Sequence, residues 1–546
     1  MDFLKFLRTE TNRSLRIIII MAGLAGLSTA FLLGIINLAA QSVAKGDENV
    51  SHLFMFIVLL GLFVFTEKYM LAHGVGIIED ILQRVRNRIA SKILKTDVLN
   101  LDKIGASEIY NRMSSGTAMI SKSAGVLVAS LQSLIMIFFV LLYIATLSLV
   151  AFAMVIGMLA IAIWIYLSKQ KKIKMDLQDT NKSEIEFLNT LDDMLKGIKE
   201  IKLNQKRRFD INFDLTTISA KLKSLKISLS EKYDRNYIFA QSFFFVLLAV
   251  VVFILPKYGV FQADKIIQIT TSILFIIGPI SSVVSVVQIF NEANLAVGTI
   301  YELEEKLDMA LDTDSSYLPV MPPEIKNFKT IRLEDVEFSY FDTSKNQLFT
   351  IGPINLTVNK GETLFIVGGN GCGKTTLLKV IAMLYFPTKG KVFIDDTEIT
   401  KDLTLQYREL FSAIFSDFHL FWKIYGLLDV SKHRVKELLE EMQIEHKTQF
   451  SEDRFTRLDL STGQRKRIAM IVSLLEDKPV YMFDEWAADQ DFEFRNYFYT
   501  ELLNNLKSKE KTLIIISHDE RYFNSADRVV KLDYGKIISD EKKLQS

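Results

Sequence analysis

Cysteine is almost missing from this chain. The single one, Cys372, rules out an intramolecular disulfide and suits a reducing surrounding. Proline is scarce as well, 8 in 546 residues, so little interrupts long helices. A surplus of one charge is also absent: 65 Lys and Arg against 64 Asp and Glu leave +1, an average of a basic segment and an acidic remainder that suggests no nucleic-acid partner. Apolar residues are plentiful, 49% of the chain with 39 phenylalanines, which fits long helices in lipid better than a soluble enzyme of this size.

A helix needs about 20 apolar residues to cross a hydrocarbon layer of ~30 Å. Stretches of that kind run from Ile17 to Ala40, Leu53 to Ile78, Gly125 to Ala145, Leu147 to Leu167, Tyr237 to Leu255 and Ile266 to Phe290. Glu67 and Lys68 interrupt the second, whose lipid-buried part is expected to end near Phe65; a role for either in lining a polar cavity is the alternative. Lys5, Arg8, Arg13 and Arg16 precede the first stretch, which is too long for a cleaved signal core and reads as a retained anchor.

Cations set the orientation. The connection between spans two and three carries Arg84, Arg86, Arg88, Lys92, Lys95, Lys103, Arg112 and Lys122, and that between spans four and five is richer still, from Lys169 to Arg208. Both are expected to be cytoplasmic. The opposite connections are short and nearly bare: Lys45 with Asp47 and Glu48, a tight turn near Thr146, and Lys257 with Lys265 around Pro256 and Gly259. Gly278 and Pro279 predict a kink in span six. The long cytoplasmic connections read as two protruding helical hairpins, with tips near Asp97 to Ser107 and Lys206 to Asp214, where force from a motor domain would be received. For most of their lysines a solvated helix face is sufficient explanation.

Between Leu311 and Pro323 the chain turns to Asp, Ser and Pro, as a linker does. The expected domains are a transmembrane domain over 1–310, a linker over 311–327 and a second domain over 328–546, whose motifs point to nucleotide binding as follows. After the linker, strand Leu364 to Val367 runs into GGNGCGKT: Gly368, Gly369, Asn370, Gly371, Cys372, Gly373, Lys374 and Thr375, with Thr376 following on a helix. Strand, glycine-rich loop and helix together cradle phosphates: backbone amides and the helix start face the β-phosphate, Lys374 neutralises the β- and γ-phosphates, and Thr375 offers a hydroxyl to Mg²⁺. Cys372 is read as a small residue tolerated in this loop. Strand Val480 to Phe483 ends in Asp484, for the Mg²⁺ shell, and Glu485, for the general base. His518 follows strand Thr512 to Ile516 and is placed at the γ-phosphate; Tyr340 is the expected stacking platform for adenine. The LSTGQ segment (Leu460 to Gln464) would present Ser461, Thr462, Gly463 and Gln464 to a γ-phosphate.

This ordered set resembles the ATP-binding-cassette exporters, and the whole chain looks like their cyclic-peptide exporter family, which carries microcin-type peptides and pyoverdine-type siderophore precursors. The resemblance rests on FSAIFSDFHLF (Phe411 to Phe421), DEWAADQD (Asp484 to Asp491), GPINLTV (Gly352 to Val358) and GIKEIKLN (Gly197 to Asn204). It implies a six-span α-helical transmembrane domain followed by an α/β P-loop domain with a helical subdomain, a type IV half-transporter. It also implies ATP and Mg²⁺ as cofactors, a lipid bilayer around the spans, and a homodimer of twelve spans in the bacterial inner membrane with the nucleotide-binding domain cytoplasmic. In that family LSTGQ lies far from its own phosphate loop, so two ATPs would be sandwiched head to tail, and Asp491 falls where the dimer-crossing loop has its aspartate. Two positions depart from the usual pattern. Ser416 stands where most exporters have a Mg²⁺-coordinating glutamine, with Asp417 as the candidate substitute, and Thr462 replaces a glycine.

Only about 16 residues, without Cys or His, precede the first span, so a cargo is expected to arrive already processed. The resulting expectation is an ATP-driven exporter of a processed or cyclic peptide or a peptide-derived siderophore. A lipid flippase or multidrug exporter is the alternative within the class, and an ATP-dependent membrane sensor that moves nothing the alternative outside it. Gln132, Tyr143, Gln241, Phe244 and Gln288 are candidate cavity residues, with lipid-facing or helix-packing roles equally open.

Overall fold

The computed structural model describes residues 2–10, 14–44, 50–258, 263–310, 325, 327–341, 347–427 and 429–542. The expected linker Leu311 to Pro323, the turn at Gly259 and the short connection with Lys45, Asp47 and Glu48 lie outside the described residues. The chain divides into two compact units, Met1–Leu94 with Ile104–Met309, and Lys95–Lys103 with Ala310–Ser546.

The first unit is entirely helical, with six helices long and apolar enough to span a membrane among the described residues. They are Ser14–Ala44, Val50–Lys95, Thr117–Leu147, Leu149–Lys196, Gln205–Ala249 and Ala263–Met309. A helix of 46 residues, the length of span two, is about 69 Å long, roughly twice what the hydrocarbon requires. Glu67 and Lys68 lie in an unbroken helix that continues past Phe65. Spans three and four are separated by one extended residue, Ser148, whose hydroxyl caps span four by accepting from the Ala151 amide at 3.2 Å. Span six runs through Pro279, which removes one rung of its hydrogen-bond ladder.

Span six packs against span three and span four against span five, around a core that includes Val140, Ile144, Val155, Phe244, Val251 and Ile273. The apolar residues left outside, such as Phe54, Ile57 and Phe65 of span two, match a lipid or helix neighbour and not water. A feature without a sequence expectation is the amphipathic helix Asp2–Glu10. It buries Phe3 and Phe6 against Phe290 and Tyr301, while Arg88 bridges Glu10 at 2.6 Å and Glu304 at 2.8 Å.

The second unit contains twelve strands among its described residues: β1 Thr330–Phe341, β2 Gln347–Asn359, β3 Thr363–Gly368, β4 Lys389–Ile394, β5 Thr397–Glu398, β6 Phe411–Ile414, β7 Phe450–Ser451, β8 Arg454–Phe455, β9 Val480–Asp484, β10 Thr512–Ile516, β11 Arg528–Asp533 and β12 Lys536–Lys542. One sheet is antiparallel in the order β2-β1-β4-β5; the main sheet runs β12-β11-β3-β10-β9-β6. Strands β3, β6, β9, β10 and β11 are parallel, and β3, β9 and β10 are buried along nearly their whole length, as a sheet covered on both faces must be. Ile516 pairs with both Asp484 and Ile366, so the carboxyl ends of β3, β9 and β10 reach one edge together. Helices Lys432–Glu441 and Thr462–Glu476 form a subdomain packed through Val435, Leu438, Leu439, Ile468 and Ile471.

Residues 95–103 belong to this unit although they sit between two spans in the chain. Val98 and Leu99 pack on its core, and the Tyr385 hydroxyl donates to Asp102 Oδ2 at 3.2 Å. That segment is the tip of the first hairpin. The second tip begins at Asn204, whose side chain accepts from the Arg207 amide and caps span five; its Phe209 and Phe213 are exposed.

Candidate nucleotide-binding and hydrolysis site

The aligned strand ends create the site. After β3 the loop can curl only because it is glycine. At Gly368, φ is +148° and a Cβ would meet the Leu532 carbonyl at 2.2 Å; at Gly373, φ is +104° and a Cβ would meet the Ile351 side chain at 2.5 Å. Gly368→Ala should therefore destabilise the fold by about 1–3 kcal/mol through forced backbone movement, measured by urea unfolding of the full chain. A wild-type midpoint would mean that the close approach is not a constraint.

Helix Lys374–Ile381 starts directly from this loop, aiming its free amides across the strand ends. Lys374 is 5% exposed, and its ammonium donates to the carbonyls of Gly368 at 3.1 Å and Gly369 at 2.9 Å. Thr375 Oγ1 donates to Asp484 Oδ2 at 2.9 Å. The Tyr340 hydroxyl lies 3.2 Å from Thr376 Oγ1, and its ring packs edge-on against Phe338 and Tyr385. Cys372 is buried beneath the loop, while Gly369, Asn370 and Gly371 are exposed.

Asp484 is 1% exposed, and its Oδ1 has no hydrogen-bond partner. An unpaired buried carboxylate oxygen is costly, and beside the Thr375 hydroxyl it fits a hard divalent cation. No cluster of three His, Cys, Asp or Glu occurs among the described residues, so the remaining positions of such an ion fall to phosphate and water. Glu485 follows Asp484 in the left-handed region at φ 51°, and its Oε1 lies 2.9 Å from His518 Nε2. The structure thus brings Lys374, Thr375, Asp484, Glu485 and His518 to one edge. Glu485 is held in a conformation that a non-glycine residue adopts only when its surroundings sustain it.

The loop that departs from the usual exporter pattern lies beside Asp484. Asp417 is exposed and pairs with Lys379 at 3.7 Å, not with Asp484; the contact to Asp484 Oδ2 comes from the Ser416 amide at 3.3 Å.

Ser461 caps helix Thr462–Glu476 in a reciprocal capping box with Gln464. Among the described residues no hydrogen bond joins 460–464 to 368–376. Asp491 accepts from the Phe494 amide at 2.8 Å and pairs with Arg467 at 2.6 Å. The amide first and the guanidinium second hold its carboxyl below the usual range against partial burial. Arg467 is itself pushed down by burial, stacks at 3.6 Å over Phe494 and also donates to Gln490 Oε1 at 2.9 Å. Lys466, Arg467 and Gln490 had no sequence signal, because their partners lie about twenty residues away across a turn.

Of the candidate cavity residues, Phe244 is buried in the helical core, against which Tyr143 packs. Gln241 bonds the Tyr237 hydroxyl at 2.9 Å, and Gln288 bonds Glu292 at 3.2 Å. Gln132 is half-buried.

Comparison with known proteins agrees with this geometry. The family profile described as ABC transporter matches residues 351–488. The ATP-binding protein SyrD of Pseudomonas syringae pv. syringae is 32% identical over 85% of this chain and 83% of its own length. An ATP-dependent lipid A-core flippase of Wigglesworthia glossinidia brevipalpis is 23% identical over 94% of this chain and 89% of its own. A solved structure of a bacterial Atm1-family ABC exporter with ATP bound superposes with a TM-score of 0.79 at 15% identity, covering 98% of this chain and 95% of that one. This chain belongs to the ABC transporter family: it has the fold of a type IV exporter half-transporter, and it is a multi-pass ATPase coupled to transmembrane transport.

Proposed function

We propose that this exporter works as a homodimer in the bacterial inner membrane and moves a processed or cyclic peptide, or a peptide-derived siderophore. Lys374 and the loop amides hold the β- and γ-phosphates, Thr375 and Asp484 hold Mg²⁺, and Tyr340 flanks the adenine. Mg²⁺, when bound, neutralises charge on the transferring phosphoryl group. Glu485 takes the proton of the water that adds to the γ-phosphorus as the bond to the bridging oxygen breaks, with His518 orienting its carboxylate. Ser461 and Gly463 from a second copy complete each centre, consistent with their separation from the phosphate loop of the same chain.

The observation that carries the cargo class is a cavity of about 290 Å³ in the first unit, between spans four and six. Lys174, Gln178, Asn291, Asn294, Thr299 and Glu302 line it together with Leu177, Phe290 and Leu295. Alongside, Asn291 bonds Gln170 at 3.4 Å, and Gln170 Nε2 is buried without a partner. Amides beside apolar surface are complementary to a peptide, whose backbone offers the matching donors and acceptors; an acyl chain has no use for them.

The test is peptide-stimulated ATPase in reconstituted vesicles. Processed and cyclic peptides should stimulate the wild type, and Asn291→Leu with Asn294→Leu should weaken half-maximal stimulation about tenfold or more, as the loss of two good hydrogen bonds would. Stimulation by lipid A-type lipids alone would replace this reading with the flippase function named for the Wigglesworthia relative.

A further inference from the structure

We propose that Lys466 is a positioning residue for Glu485, coupling the helix that begins at the LSTGQ motif to the hydrolytic carboxylate. The inference rests on Glu485 being the general base. Lys466 is 3% exposed, and its ammonium reaches two acceptors: the backbone carbonyl of Glu485 at 2.7 Å and Asp489 Oδ2 at 2.7 Å. From the other direction, Trp486 Nε1 donates to the Lys466 carbonyl at 2.8 Å. The peptide carrying Glu485 is thus held from both sides by one helical residue. That hold falls on the residue with φ 51°, where backbone strain must be sustained by its surroundings.

The connection continues to the phosphate-facing end of the helix. Gly463 approaches so closely that a Cβ there would meet the Asp489 carbonyl at 2.5 Å, and Gln490 Nε2 donates to the Gly463 carbonyl at 3.1 Å. Ser461 and Glu485 of one chain are therefore ends of a single hydrogen-bonded block. In a head-to-tail dimer those two ends serve different ATP molecules. A γ-phosphate seated on Ser461 in one centre orders the base of the other, and Lys466 is the side chain through which that order passes.

The experiment is steady-state ATPase of the full chain in phospholipid nanodiscs, separating kcat from KM. Lys466→Met should lower kcat about 10- to 100-fold, as displacement of a catalytic group by a fraction of an ångström does, with KM for ATP changed less than about twofold. Lys466→Arg, which keeps a donor for both acceptors, should restore kcat to within about threefold. Asp489→Asn should lower kcat in the same direction, and adding it to Lys466→Met should cost nothing more. A kcat for Lys466→Met within twofold of wild type overturns the proposal, as does a loss in Lys466→Arg equal to that in Lys466→Met. Should Lys466→Met fail to assemble, Asp489→Asn, altering a half-exposed acid, decides alone: lowered kcat at constant KM supports the coupling and wild-type kcat refutes it. An inert Glu485→Gln with a normal Lys466→Met sinks only this inference; an active Glu485→Gln sinks the base assignment.

Discussion

Glu485→Gln should abolish turnover while leaving nucleotide binding intact. The substitution keeps size and keeps a hydrogen-bonding group for His518, which sits 2.9 Å away, but it removes the only function that needs a carboxylate, acceptance of the water proton. General-base catalysis contributes roughly 10²–10⁴-fold, so kcat should fall by at least about 100-fold. The phosphate loop is untouched, and ATP affinity should stay within about threefold of wild type. Binding without hydrolysis should accumulate an ATP-bound dimer, seen as a nucleotide-dependent shift in cross-linking or sedimentation. Normal turnover in this variant would remove Glu485 from the chemistry.

Lys374→Ala should fail one step earlier, at binding. The ammonium is buried, and it holds the loop carbonyls of Gly368 and Gly369 in their curled arrangement. Its removal takes away the charge that faces two phosphates, each charge-assisted bond being worth about 1.5–3 kcal/mol. Two such bonds correspond to a loss of about 100-fold or more in ATP affinity. A fluorescent ATP analogue titrated into the two variants separates them: Glu485→Gln should saturate as wild type does, and Lys374→Ala should not. Equal affinity in both would mean that the loop binds phosphate through its backbone alone.

The architecture could be read from the residues because its signals are local. A run of apolar residues is long enough to span lipid or it is not, and strand, GGNGCGKT and helix declare their geometry within a dozen positions. The same locality explains what stayed hidden. Helix Asp2–Glu10 is too short to show a period, and Phe3 and Phe6 acquire meaning only against Phe290 and Tyr301, almost three hundred residues away. The first hairpin tip is legible as a place where force from the second unit is received, and residues 95–103 do cluster with that unit; that Val98 and Leu99 are the residues packing there is not legible.

The site divides in the same way. Asp484 and Glu485 are recognisable from the strand they terminate, whereas the partners of Lys466 and Arg467 lie on a turn that only tertiary packing brings beside them. Asp417 is legible as a carboxylate beside the Ser416 position, but its surroundings are not. Its carboxylate is exposed and stands 3.7 Å from Lys379 of the phosphate-loop helix, a neighbour that residue spacing does not announce. It is the Ser416 backbone that reaches Asp484, and backbone contacts leave no mark in side-chain identity.

Shared hydrolytic centres are the claim on which the rest depends, and a mixed dimer tests them most directly. One copy would carry Lys374→Ala and the other Ser461→Arg, purified together with two affinity tags. If each centre combines the phosphate loop of one copy with the LSTGQ motif of the other, both lesions fall in one centre and the second stays intact. The account predicts ATPase activity in the mixed dimer, lowered because the base of the intact centre belongs to the copy whose Ser461 is replaced, and none in either parental homodimer. A mixed dimer as inactive as its parents would contradict it, that being the outcome expected if each chain held a whole centre by itself.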